Sequence, residues 1–110
     1  MLEKSYDNAI ISGCNPRDYD CDMSKILLQF EGKTTTGKLD ALVWAKHKPI
    51  LIACITLDNT ERISLMAYKD ARESNREYRG WRLLSPGQSI SITIRKGQRG
   101  ALHPIIQSLT

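Results

Sequence analysis

The sequence predicts a small, mainly β protein: a roughly five- or six-stranded barrel or a curved antiparallel sheet, with one short helix or irregular insertion. Three observations support this fold class. The segment Ser89–Arg95 alternates isoleucine with polar residues, the run Ile50–Leu57 is almost entirely apolar, and turn-forming residues separate such runs. With 110 residues, 41% apolar and 25% charged, the chain fits one globular domain, 1–110, and neither a disordered chain nor two stacked domains.

An acidic, loop-rich leading segment, residues 1–22, precedes the predicted strands. Residues 1–32 hold three basic and six acidic side chains, whereas residues 33–110 hold thirteen and six. A basic body of this kind suits a polyanionic partner, although the leading segment could equally lie on the basic face and neutralise it.

The first element after this segment can be read in two ways. Four apolar residues have helical spacing, with Asp22 or Ser24 as cap and Gly32 as stop: Met23, Ile26, Leu27 and Phe30. With a period of two, one face of a strand is formed instead by Ile26, Leu28 and Phe30. We favour the strand, because Gly32–Gly37 then becomes a hairpin loop leading into a second strand, Leu39–Ala45.

The middle of the chain continues this meander. After a turn at residues 46–49, the apolar run Ile50–Leu57 predicts a strand covered on both faces, which should be the central one. Turn chemistry at residues 58–61 leads into a strand over Ile63–Tyr68. Residues 69–78 lack an apolar stripe, so they predict a short exposed helix or a mobile loop.

Two strands complete the sequence pattern. Ser89–Arg95 lies between a Pro-Gly turn and the turn at residues 96–100, and a last strand spans Leu102–Leu109. Pro104 places that last strand at an edge, where a second copy could pair with it to form a homodimer. The predicted core contains Ile52, Cys54, Ile90, Ile92 and Ile94.

Three meander strands, a polar insertion and two further strands follow the order of an OB-type barrel. The rhythm from Ile26 through Gly37-Lys38-Leu39 also resembles the first hairpin of SH3-like and Sm-like barrels. These resemblances concern the order of elements only, because a glycine-bounded loop between two strands is common to most small barrels.

The expected compartment is the cytosol. Glu3 and Asp7 lie where a secretory signal would be apolar, and the longest apolar run, six residues, is far below the roughly 20 that a membrane span needs. Three cysteines, an odd number, favour reduced thiols. Cys54 is expected in the core, whereas Cys14 and Cys21 are expected to be accessible and able to pair under oxidation.

No residue pattern predicts catalysis, a cofactor or a metal. Gly32–Lys38 fits the phosphate-loop spacing, but Leu39 stands where that loop needs a magnesium-binding hydroxyl. The C-x6-C spacing is wider than in structural zinc sites, and neither histidine lies in a nucleophile context. A solvated acidic loop accounts for Asp18, Asp20 and Asp22. We therefore predict a binding module and not an enzyme.

The stretch from Arg76 to Arg99 carries the functional prediction, since it holds six basic residues, one acid and two aromatic rings. Basic side chains neutralise phosphates and exposed rings stack on unpaired bases, so this mixture suits single-stranded nucleic acid or RNA. The phosphate contacts would come from Arg79, Arg82, Arg95 and Lys96, stacking from Tyr78 or Trp81, and further positive charge from Lys33 and Lys38. Arg99 belongs to the same predicted binding surface. The alternative is a protein-binding or inhibitory module that uses the same surface.

Overall fold

One antiparallel sheet organises the chain in the computed structural model, which describes residues 8–9, 16–44, 50–68, 75–97 and 99–109. The protein is mainly β, as predicted, with five main strands, a two-residue strand and two short helices. The elements in chain order are β1 (Asn8–Ala9), a short 3-10 helix (Pro16–Asp18), α1 (Met23–Phe30), β2 (Thr34–Trp44), β3 (Ile50–Leu57), β4 (Arg62–Tyr68), α2 (Asn75–Trp81), β5 (Ser89–Lys96) and β6 (Leu102–Ser108).

The middle strand of the sheet is β2, because the strand order is β4-β3-β2-β5-β6. β2 has eleven residues. Along one edge it pairs with β3 from Gly37 to Trp44, and along the other it pairs with β5 from Thr34 to Lys38 and with β1 at Val43 and Trp44. The prediction that Ile50–Leu57 is a strand is confirmed to the residue. Its central position is wrong, since β3 lies one place from the middle. β3 is nevertheless largely buried on both faces, as expected for an interior strand.

The sheet is not closed. Both helices contact β4 and β6, the two edge strands, and so pack across one face of the sheet. A closed barrel is not formed, because no pairing joins β4 to β6 among the described residues.

The two faces of the sheet carry separate apolar clusters. The face toward the helices holds the larger one, which includes Trp81 and Phe30, and the opposite face holds a smaller one around Tyr19. Of the predicted core residues, four are confirmed as buried: Ile52, Cys54, Ile90 and Ile92. Ile94 is partly buried against the larger cluster.

The strand predicted at Ile26–Phe30 is wrong, because this segment is the helix α1. Asp22 caps it by accepting the backbone N–H of Lys25 at 3.2 Å. The side chains then sort with helical spacing: Ile26 and Leu27 are buried, and Leu28, which a strand would bury, is 66% exposed. A turn with positive φ at Gly32 ends the helix and starts β2.

Two neighbouring predictions change as a result. The loop predicted over Gly32–Gly37 is confined to a short turn, because β2 already begins at Thr34. Of the segment 69–78, residues 69–74 lie outside the described part, and the rest belongs to α2, which extends to Trp81. The turn at 46–49, most of the leading segment and Cys14 also lie outside it, whereas Cys21 is exposed and Cys54 is buried.

The two edges of the sheet are protected differently. At β4, the backbone N–H of Ser64 donates to Asp20 O at 2.9 Å, and that of Met66 donates to Met23 Sδ at 3.2 Å. The nearby Lys25 ammonium bonds the Asp20 carboxylate and lowers the pKa of Asp20 below its ordinary value. This edge is therefore covered by the backbone of Asp20 and by the side-chain sulfur of Met23.

At the other edge, β6 confirms the position predicted from Pro104. The Leu109 N–H donates to Ser89 O of β5 and the Gly97 N–H donates to Ala101 O in the turn, so alternation directs the backbone N–H groups of the even-numbered β6 residues away from β5. Pro104 is one of these, and it has no N–H to offer a further strand. Homodimerisation through β6 stays a prediction.

Gly37 is where β2 and β3 approach most closely. A Cβ built on Gly37 would lie 2.6 Å from the carbonyl oxygen of Thr56 and 2.9 Å from the Leu57 Cα, both backbone atoms that cannot rotate away. We therefore expect Gly37→Ala to lower the free energy of unfolding by about 1–3 kcal/mol. Urea denaturation measures this, with the surface variant Ser89→Ala as control. Equal stability of the two variants would contradict the close approach.

Candidate nucleic-acid interface

Three of the predicted binding residues meet at one end of the sheet. Thr34 of β2 pairs with Thr93 of β5, so Lys33 lies beside the C-terminal end of β5. Lys96 is the last residue of β5, and Arg99 lies in the turn to β6, closed by the Gly97 N–H bond to Ala101. We call Lys33, Lys96 and Arg99 the basic end of the sheet. All three are exposed, and Lys96 Nζ lies 3.8 Å from the Glu31 carboxylate.

Arg95 makes a different contact from the one predicted. Its Nε and Nη2 both donate to Glu77 Oε1, at 3.1 and 2.9 Å. Glu77 is only 4% exposed, so this ion pair attaches α2 to β5 below the surface. A guanidinium that compensates a buried carboxylate is costly to divert to a phosphate. Arg95 is therefore first a structural residue.

The rings proposed for base stacking lie in the core. Tyr78 is 3% exposed and Trp81 is 1% exposed, so neither presents a face to a base. Within the described part of the chain, Trp81 Nε1 and Glu77 Oε2 are buried without a hydrogen-bond partner. α2 thus turns its rings inward, and a stacking role for them would require the helix to leave the sheet.

The remaining basic residues of α2 and its C-terminal extension stay at the surface. Arg79 and Arg82 are both exposed, and the Arg82 backbone N–H continues the helix by donating to Tyr78 O at 3.3 Å. Among the described residues, no ion pair within 4.0 Å joins a carboxylate to Lys33, Lys38, Arg79 or Arg99. These four side chains are the ones best placed to meet an external anion.

Lys38 lies apart from the basic end, on the face of β2 that carries the smaller apolar cluster. It pairs with Thr56 of β3 and lines an open cleft of about 360 Å³. The cleft is also lined by Tyr19, Leu39, Asp40, Thr56, Arg62 and Gly87. Lys38 and Arg62 bring two positive charges to this cleft and Asp40 brings one negative charge.

A β-bulge places Asp40 in the cleft. Leu39 pairs with Ile55 and Ala41 with Cys54, which leaves Asp40 as the extra residue of β2. Asp40 Oδ2 accepts hydrogen bonds from the Tyr19 hydroxyl at 2.8 Å and from Thr56 Oγ1 at 2.5 Å. The Arg62 guanidinium lies over the Tyr19 ring, 5.8 Å from its centroid. The cleft is therefore an organised polar site.

Sequence reasoning missed the cleft residues Tyr19, Asp40 and Arg62. These residues are far apart in the sequence and meet through contacts of Tyr19 with Asp40 and Arg62. A β-bulge also leaves no signature in a single sequence. The polar alternation of Thr36, Lys38 and Asp40 on β2 was the one local sign that this face meets water.

Charge in the C-terminal part of the chain is entirely positive. Residues 78–110 contain five Lys and Arg and neither Asp nor Glu. This part supplies β5, β6 and the turn between them, and so two of the three residues of the basic end. An anion that approaches there meets no carboxylate from these strands.

The structure also bears on the phosphate-loop pattern, on metal-ligating residue types and on the length of the helices. Lys38 lies within a strand and not at the start of a helix, so Gly32–Lys38 is not a phosphate-binding loop. In the described ranges, no three His, Cys, Asp or Glu side chains are grouped as metal ligands would be. None of the helices in that part of the chain is long and apolar enough to cross a bilayer.

Comparisons with known proteins give no match to a family model, to a curated protein or to a solved structure.

Proposed function

We propose that this protein is a small, non-catalytic cytosolic module that binds single-stranded nucleic acid or RNA. The observation that carries the proposal is a set of exposed cations, Lys33, Lys38, Arg79 and Arg99, that form no ion pair with a carboxylate among the described residues, on a scaffold whose C-terminal third lacks acidic residues. Such cations gain most from a polyanion, because no internal ion pair has to be broken.

The scaffold supports the proposal at the level of architecture. A meander of β2, β3 and β4, then a helix, then β5 and β6, arranged β4-β3-β2-β5-β6, is the order we expect for an OB-type barrel left open between β4 and β6. Barrels of that type bind oligonucleotides on one face and in the loops beside it. The β5–β6 turn with Arg99 is one such connection, and the cleft lies on the outer face of β2 and β3.

The residue roles follow from exposure. Lys33, Lys96 and Arg99 hold phosphates at the basic end, Arg79 and Arg82 extend the positive surface over α2, and Lys38 acts on the outer face of the sheet. Arg95, Tyr78 and Trp81 stabilise the fold and do not contact the nucleic acid.

A salt titration tests this function. We expect fluorescence anisotropy to show binding of a labelled oligo-dT at low salt, with log K falling linearly as log salt rises. Arg99→Gln should reduce the slope by roughly 0.7, the value for one lost contact to a single strand. Gln29→Ala, an exposed change on α1 without a charge, is the control. Absence of binding to both oligo-dT and oligo-dC at tens of micromolar by folded protein would refute the proposal.

A protein-binding module remains the second candidate. It is favoured by three exposed leucines among the described residues, Leu83 at 86%, Leu28 at 66% and Leu109 at 55%, which an apolar partner would cover. Complexes of that kind should change little with salt and should survive nuclease treatment in a pulldown. A complex that nuclease abolishes would favour the first candidate.

A further inference from the structure

We propose that the cleft around Asp40 holds one nucleotide of the bound strand and selects bases that carry an exocyclic amino group. This inference rests on the proposed function and adds to it a position and a base preference. The volume of about 360 Å³ falls within the roughly 300–1,000 Å³ typical of small-ligand sites.

The two positive residues of the cleft would contact the phosphate and stack on the base of this nucleotide. Lys38 is exposed on β2 and provides an ammonium group for a phosphate. Arg62 is also exposed, and its guanidinium carbon lies 5.8 Å from the centroid of the Tyr19 ring. This planar group can stack a base, since guanidinium planes are common stacking platforms for unpaired bases.

Asp40 accounts for the choice of base. A carboxylate only accepts hydrogen bonds, and the Tyr19 and Thr56 hydroxyls fix its orientation through Oδ2. Cytosine N4 and adenine N6 are amino donors that a carboxylate accepts, whereas thymine and uracil present a carbonyl oxygen at the same position. The acceptor of the base and the acceptor of the protein would then face each other without a proton, which disfavours thymine and uracil.

The test compares oligo-dC with oligo-dT of about 15 nucleotides, near the upper end of the site size of one OB-type module. We expect anisotropy titrations of the wild-type protein to give a roughly tenfold lower Kd for oligo-dC, within the range of one base contact. Asp40→Asn should bring the ratio of the two Kd values close to one, because an amide both donates and accepts. Asp58→Asn, the matched control, changes the same charge on a carboxylate outside the cleft that accepts a bond from Thr36.

The ratio makes the outcomes distinguishable. Both variants raise the net charge equally, so a change in general affinity cancels and only base discrimination remains. Equal Kd values for the two oligomers in the wild type would overturn the inference and leave the proposed function standing. Binding of neither oligomer would overturn both. Circular dichroism checks the fold of Asp40→Asn, and if that variant is unfolded the wild-type ratio decides alone.

Discussion

Replacing Arg95 by methionine should lower the free energy of unfolding by about 3–5 kcal/mol, because it leaves the buried Glu77 carboxylate without its cation. Native domains are stable by only roughly 5–15 kcal/mol, so this single change brings the protein close to unfolding at room temperature. Urea denaturation followed by circular dichroism measures the loss.

Two companion variants separate the ion pair from the loss of a positive charge. Arg99→Met removes the same charge from an exposed turn and should change stability by no more than about 0.5 kcal/mol. The double variant Arg95→Met with Glu77→Met should recover much of the lost stability, because it removes both buried charges. If Arg95→Met proves as stable as Arg99→Met, the Arg95–Glu77 ion pair does not stabilise the fold.

Ile92→Ala should have an effect of similar size, a loss of about 2–5 kcal/mol in the free energy of unfolding. Ile92 is fully buried, and it faces Thr35 of β2 and Ile106 of β6 in the sheet register. Its loss opens a cavity between three strands and the helices. Thr93→Ala, the exposed neighbour on the same strand, is the control and should differ from the wild type by much less. A change below about 1 kcal/mol at Ile92 would mean that the core relaxes around the deletion.

Where one periodicity dominated the sequence, the strands could be predicted. Ser89–Arg95 alternates without a competing pattern, and β5 begins at Ser89 and ends one residue beyond Arg95. Ile50–Leu57 is too short for a buried helix and too apolar for a loop, and β3 has these bounds. At Ile26–Phe30 the apolar residues fitted both a helix and a strand. The segment forms a helix that Asp22 caps, and counting apolar positions does not include the contribution of such a cap.

The candidate site was less predictable, because the fold decides which side chains reach the surface. Tyr78, Arg79 and Arg95 look alike as members of a basic and aromatic stretch. In the structure one is buried, one is exposed and one is bound to Glu77. Asp40 was not among the predicted site residues either. Its place in the cleft depends on the β-bulge in β2 and on the hydrogen bond from Tyr19, 21 residues earlier in the chain.

The covering of the β4 edge by Asp20 and Met23 also bears on how the chain avoids aggregation during synthesis. An unpaired strand edge is a template for pairing with other chains. Residues 20–23 leave the ribosome before β4 does, so the Asp20 carbonyl and the Met23 sulfur that cover this edge are present when the strand forms. β6 is made after the other strands, and Pro104 removes one outward donor from it. The residues that protect each edge are therefore already synthesised when that edge strand forms. This order should reduce aggregation of the nascent protein.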